Sequence, residues 1–205
     1  LIQYDKNGDL LEGIVVTNDN ARYFDIPGKY SIEFEEARDG VILETINQLD
    51  KIGFVSKSLE WSVRDVLSMF GYPAMHRWQY IPTGVYQFLK TVRTKLPNGR
   101  LLISDFDSLP DTTPGHGGPI VQTRYQGETV AFSSILLKKG LFDIFFPIDF
   151  QVAKKMTESI LSKQCYVFKH KEFLSRYGDI DKTRTKSGYN PMLEEFENVS
   201  ILVSL

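Results

Sequence analysis

Apolar and polar residues alternate through the opening of the chain. Residues 1–4 and 10–17 flank the turn signal Asn7-Gly8-Asp9, and residues 30–34 alternate in the same way, so three strands are expected. The period then lengthens. Residues 41–49 place Ile42, Ile46 and Leu49 at helical spacing. Residues 59–70 set Val63, Val66, Leu67 and Phe70 on one face and stop at Gly71-Tyr72-Pro73. A third helix is expected over residues 84–96, with Val85, Phe88, Leu89, Val92 and Leu96 as its stripe.

The second half follows a different rhythm. After the turn Pro97-Asn98-Gly99, residues 100–106 form a short apolar run ending in Asp105-Phe106. Such a run behind an amphipathic helix predicts a parallel strand, central and buried on both faces. Its carboxyl end is where open α/β sheets place ligands. A loop rich in Pro, Gly, Asp and Thr spans 107–119, and β-like runs follow at 120–125, 129–132 and 142–148. Residues 150–161 predict a helix burying Phe150, Ala153, Met156 and Ile160. A strand at 165–168, short helices at 171–177 and 192–197 and a final strand at 199–205 complete the chain.

Composition adds bounds. The 205 residues suffice for one ordinary core. A net charge of −2 gives no basic excess pointing to nucleic acid. No apolar run is long enough to span a bilayer. The single cysteine, Cys165, can make no internal disulfide and is expected as a buried core thiol. His76, His116 and His170 lack ligand spacing, so no metal site is expected. An odd separation on a strand turns Cys165 and His170 to opposite faces, which argues against a nucleophile pair. The Gly115-His116-Gly117-Gly118 run has no Gly-x-Ser-x-Gly elbow to accompany it, so an esterase is set aside in favour of a loop over a cleft.

The carboxylates carry the candidate chemistry, and each has two readings. Asp105 and Asp107 lie at an expected strand end, where they either line a cleft or cap a turn. Asp149 stands just before a helix, as an N-cap or as a carboxylate orienting a guanidinium. Asp143 is a similar candidate or an exposed strand position. Arg124 and Arg100 either meet an acidic group or are solvated surface cations. Phe106, Phe145, Phe146 and Phe150 are walls of an aromatic cleft or core residues.

Four blocks, in order, carry a family resemblance. They are Tyr80-Ile81-Pro82-Thr83-Gly84-Val85-Tyr86-Gln87-Phe88-Leu89, then Arg100-Leu101-Leu102-Ile103-Ser104-Asp105-Phe106-Asp107, then Gly140-Leu141-Phe142-Asp143-Ile144-Phe145-Phe146-Pro147-Ile148-Asp149-Phe150, then residues 167–178. Together they resemble the MidA family of S-adenosylmethionine-dependent methyltransferases, which includes the mitochondrial arginine methyltransferase serving complex I assembly. With Pro119-Ile120-Val121-Gln122-Thr123-Arg124-Tyr125 upstream, the chain looks most like the fungal branch. The resemblance covers residues 81–205 and, more loosely, the first strands.

The resemblance implies an α/β chain, the C-terminal part of a class I, Rossmann-like methyltransferase sheet, with an inserted α+β substrate-side region. In that fold the last strand runs antiparallel and slots between its neighbours. Residues 1–79 would be strands with an inserted helical region, on the substrate side or in dimerisation. Residues 80–205 would be the C-terminal half of the core, with an insertion at 107–148. The implied activity is protein-arginine N-methylation with S-adenosylmethionine, on an arginine of a complex I core subunit in the mitochondrial matrix. A homodimer is left open. Asp105 and Asp149 would be catalytic, with Asp107, Asp143, Phe150 and Arg124 binding substrate.

The departures motivate an alternative, a non-catalytic assembly or binding protein on the same scaffold. The family's Asp-Tyr-Gly reads Asp105-Phe106-Asp107, and its Asp-Leu-Thr reads Asp143-Ile144-Phe145. No glycine-rich cofactor loop is found, and it is expected to precede Leu1. Cofactor-binding residues are therefore unassigned.

Overall fold

In the computed structural model, residues 1–5, 9–17, 30–54, 78–110, 112–113, 117–137 and 140–205 are described. The expected helix at 59–70, its stop at 71–73, the tip of the 7–9 turn, His76 and His116 lie outside them. The chain divides into two compact units, one of residues 1–83 and 110–146, the other of residues 84–109 and 147–205.

The first unit opens with an antiparallel meander. β1 (Ile2–Tyr4), β2 (Leu10–Thr17) and β3 (Tyr30–Glu36) pair in that order, with Gly13 opposite Phe34. The three strands stand where they were expected, and Ile2 is fully buried, but burial does not alternate along β2, where Glu12 is buried and Val15 is exposed. An isolated bridge ties Ile2 to Gln79 through two backbone hydrogen bonds, 2.9 and 2.8 Å long.

Glu12, on β2, is buried. Its carboxylate accepts the backbone N–H groups of Arg38 and Asp39, each at 3.2 Å. Asp39 then caps α1 (Gly40–Lys51), accepting from Val41 and Ile42 at 2.7 and 3.1 Å. Two successive carboxylates thus hold the entry to α1 and serve N–H groups that a helix start leaves unpaired.

The same unit holds a second sheet, ordered β6-β5-β7, of β5 (Ile120–Tyr125), β6 (Glu128–Phe132) and β7 (Asp143–Phe145). Gln126 and Gly127 join β5 to β6 with φ of +51° and +88°, the two positive dihedrals that a two-residue hairpin turn needs. Phe132 and Phe142 meet edge to face at 4.7 Å.

The second unit is organised on a three-stranded sheet, β4 (Leu102–Phe106), β9 (Val199–Ser204) and β8 (Cys165–Lys169), in the order β4-β9-β8. β9, last in sequence, runs antiparallel to both neighbours, so β4 and β8 point the same way. α2 (Thr83–Lys95) precedes β4 and buries Leu89 and Val92, but Phe88 and Leu96 of its expected stripe are exposed. α3 (Phe150–Leu161) lays Phe150 and Ala153 against Cys165 and Leu202, with Ile148 and Val167 at the margin. α4 (His170–Tyr177), a 3-10 turn (Ile180–Thr183) and α5 (Pro191–Glu194) fill the connection to β9.

One expectation is corrected. β4 is not a strand buried on both faces: Leu102 is 61% exposed, and Ser104 and Asp105 are exposed too. Among the described residues β4 pairs only with β9, and antiparallel, so it is an edge of its sheet. The apolar run is real, but one side of it lacks the cover that a central strand has. What the fold comprises is therefore a mixed α/β arrangement built on small antiparallel sheets.

Candidate active site

The sheet order sets the geometry of the second unit. The C-termini of β4 and β8 and the N-terminus of β9 lie at one end of the sheet. In register, Asp105 faces Ser200, and Ser200 faces Lys169. Partners directly opposite share a face, so carboxylate, hydroxyl and ammonium form one cross-strand row.

Asp107 closes over that row. Its Oδ2 accepts Lys169 Nζ at 2.5 Å and also the Ser200 hydroxyl, while Ser108 Oγ donates to its Oδ1 at 3.0 Å. Its backbone N–H donates to Asn198 O, and Lys169 Nζ donates again to Glu197 O. Partial burial pushes the Asp107 carboxyl up, but the hydrogen bonds from Lys169, Ser200 and Ser108 and the Lys169 charge outweigh it. The net effect holds it below the usual aspartate value. Asp107, expected to bind substrate, is occupied as a brace joining all three strands.

Asp105 is exposed, and its Oδ1 accepts only the neighbouring Phe106 N–H, at 2.7 Å, among its described bonds. The Phe106 carbonyl accepts Ile148 N–H at 2.8 Å, which ties the start of α3 to the end of β4. Asp149 therefore sits at the same end of the sheet. It is a true N-cap, with Oδ1 accepting Gln151 and Val152 N–H at 2.9 and 3.0 Å. The carboxylate is nonetheless exposed. Phe150, expected to contact substrate, is 5% exposed in the α3 core and cannot wall an open cleft.

Arg124 and Asp143 belong to the first unit. Gln122 faces Asp143 across β5 and β7, and Arg124 lies two residues further along β5. Side chains alternate along a strand, so Arg124 and Asp143 emerge on one face, both exposed. Of the aromatic candidates, Phe145 and Phe146 are exposed and Phe106 is half-buried.

Lys169 and Ser200 were not legible as site residues. Neither stands in a motif, and only the pairing register brings them to Asp107. Cys165 is 1% exposed, and burial together with the nearby Glu158 charge pushes its thiol up to about 11. It is an inert core thiol. Among the described residues no group of three or more His, Cys, Asp or Glu is arranged to hold a metal.

Comparison with known proteins narrows the class. No curated protein matches the chain. A crystal structure of an uncharacterized protein from Burkholderia thailandensis is similar in fold, with a TM-score of 0.54 at 11% sequence identity; the match covers 99% of this chain and 50% of that one. The chain thus spans about half the length of that structure. A family model matches residues 1–169, well over half of the sequence, and its members share S-adenosyl-L-methionine as their described cofactor. The chain belongs to this family, described as "Putative S-adenosyl-L-methionine-dependent methyltransferase".

Proposed function

We propose that the protein is a protein-arginine N-methyltransferase of the MidA type, of the fungal branch, acting on a complex I core subunit in the mitochondrial matrix. The substrate, the branch and the location rest on the four sequence blocks. The methyltransferase class rests on the family. One structural observation supports the site: β9 lies antiparallel between β4 and β8, which agrees with the place that the resemblance implies for the last strand, with exposed Asp105 and Asp149 at the carboxyl end of β4.

The chemistry suits those two carboxylates. A guanidinium is protonated at neutral pH, and its lone pairs are delocalised. Carboxylates hold it in a fixed orientation and favour charge on the atoms that do not react. In both Asp105 and Asp149 the described backbone bonds fall on Oδ1, so Oδ2 is the oxygen that would meet a guanidinium N–H. S-adenosylmethionine, when bound, supplies the methyl group. The described residues do not fit a cradle for it: among them no glycine-rich turn joins a strand to a following helix, and Gly40, at the passage from β3 to α1, stands alone there.

A second reading has its own support. Asp107 stands where the family has glycine, and it is bound up in the Lys169–Ser200 brace. That favours an assembly or binding protein that kept the scaffold. The test is transfer of labelled methyl from S-adenosylmethionine to arginine-containing matrix-arm proteins by the full-length protein, read as methylarginine. Transfer that falls in Asp105→Asn and Asp149→Asn supports the enzyme. No transfer to any arginine substrate by folded wild-type protein supports the scaffold.

A further inference from the structure

The sheet of the second unit has two unlike faces. Cys165, Val167 and Leu202 turn to α3, where Phe150 and Ala153 pack on them. Side chains alternate along a strand, so Tyr166, Phe168, Ile201, Val203 and Leu102 point the other way. α4 covers part of that second face through Phe173 and Tyr177, and Phe168 and Ile201, opposite each other in register, are buried. The next row is open. Tyr166 faces Val203, and Val203 faces Leu102, in a line across all three strands. Leu102 is 61% exposed, Tyr166 is 39% exposed, and Val203 is half-buried. An apolar row across a sheet face is surface that folds ordinarily cover.

A cation stands at one end of the row. Tyr166 and Phe168 stack at 6.4 Å, and Phe168 in turn meets Phe173 at 5.9 Å and Tyr177 at 6.0 Å. The Arg176 guanidinium carbon lies 5.6 Å from the centre of the Phe168 ring and 6.0 Å from that of Tyr177. Arg176 and Tyr177 are both exposed. A guanidinium held over rings keeps its N–H groups, which lie in its own plane, for another partner. Among the described residues no carboxylate lies within ion-pair distance of Arg176, Glu172 one turn earlier included. The rings thus hold a cation beside the open row with its donors unused.

We propose that this face docks an amphipathic helix of a partner protein, apolar on the side that meets Leu102, Val203 and Tyr166 and carrying a carboxylate that pairs with Arg176. Charge selects the acid, since a carboxylate takes the guanidinium fork through two parallel bonds. The open row selects a helix. An extended segment laid flat on a sheet face would leave its backbone N–H and C=O groups unpaired, whereas a helix satisfies its own. The row spans two strand spacings, about 10 Å, which is the rise of roughly seven helical residues. An acid at i with apolar residues at about i+4, i+7 and i+11 therefore matches Arg176 followed by the row. The proposal rests on strand register and ring contacts, not on methyl transfer, so the two readings fail separately.

The probe is a stapled helix of about fifteen residues with Glu and three Leu at those positions, titrated into the full-length protein by fluorescence anisotropy. The expected result is saturable binding that weakens with salt and shifts the ring signals of Tyr166 and Tyr177 in NMR spectra. Arg176→Met keeps an apolar chain over the rings and should weaken binding about tenfold or more. Arg176→Lys keeps the charge without the fork and should weaken it less. Leu102→Asp should lose the probe by a similar factor, about tenfold, and Arg176→Met decides by itself should that variant not fold. The same helix with Lys in place of Glu should not compete. No saturable binding, unchanged affinity in Arg176→Met, or equal binding of the Lys helix would overturn the proposal. So would self-association that Arg176→Met abolishes, or phosphatidylserine vesicles that displace the probe, since either would give the face a different occupant.

Discussion

Lys169 reaches past β9 to Asp107. Its Nζ lies 2.5 Å from Asp107 Oδ2, although the two residues belong to β8 and to the end of β4, strands that do not pair. The strand between them contributes Ser200, which donates to the same oxygen. One carboxylate oxygen therefore links three strands at the edge where Asp105 and Asp149 stand.

This brace should make stability acid-sensitive. The folded Asp107 carboxyl is held below its ordinary value of 3.8, so its contribution is fully present above that value. It is lost as pH falls through the lower folded value. Asp107→Asn should cost about 1–2 kcal/mol at pH 7, a figure reduced because Lys169 is more than half exposed and screened. Urea melts of wild type and variant at pH 7 and below pH 4 check this: the gap between the two proteins should shrink in acid. A gap that does not change with pH would show that the charge on Asp107 contributes nothing.

Asp149 separates capping from chemistry. Asn caps a helix about as well as Asp, so Asp149→Asn should leave the melting temperature near wild type, while Asp149→Ala should cost about 1 kcal/mol. If the exposed carboxylate also orients a guanidinium, Asp149→Asn should lower kcat/KM for an arginine substrate by roughly 2 kcal/mol in transition-state terms. Asp105→Asn is expected to behave likewise, because its carboxylate is exposed and holds only a local backbone bond. Wild-type turnover in both variants would remove these carboxylates from the mechanism.

Cys165 should be silent to alkylation. The thiolate is the reactive form, and at pH 8 a thiol raised to about 11 and 1% exposed supplies almost none. Iodoacetamide should label the protein only when denaturant is added. Rapid labelling of the native protein would show that the α3 side of the sheet opens readily.

The elements were legible because their periods are clean. β2 spans the residues that alternation marked, and Asp39 and Asp149 sit at helix starts where side-chain oxygens serve backbone N–H groups. The last strand lies between its neighbours, as the resemblance implied. Pairing was harder to read. The apolar run at residues 101–103 looks the same whether one side of the strand is covered or open, so Leu102 was placed inside when it is outside. The Asp107 brace depends on register between segments 62 and 93 residues apart, which no local motif encodes. Phe150 reads equally as wall or core, and only the packing of α3 on Cys165 and Leu202 decides for core.

Leu102 and Leu202 put that difference to a direct test. Both are leucines on adjacent strands, one step apart in the β4–β9 register, where Leu102 faces Val203 and Ile103 faces Leu202. Composition and propensity cannot tell them apart, but burial does: Leu202 is fully buried and Leu102 is 61% exposed. Leu202→Ala removes packing against Phe150, Ala153 and Cys165 and should cost about 2–5 kcal/mol, depending on how far the cavity collapses. Leu202→Asp should not give soluble folded protein, since an unpaired charge would be buried. At Leu102, by contrast, Asp replaces a side chain that already meets solvent, so Leu102→Asp should remain soluble and melt cooperatively, within about 1 kcal/mol of wild type. Insolubility of Leu102→Asp would mean that the outer side of β4 is covered in the protein as it exists in solution. The strand would then be central after all, and the edge at β4 would be the part of the fold to revise.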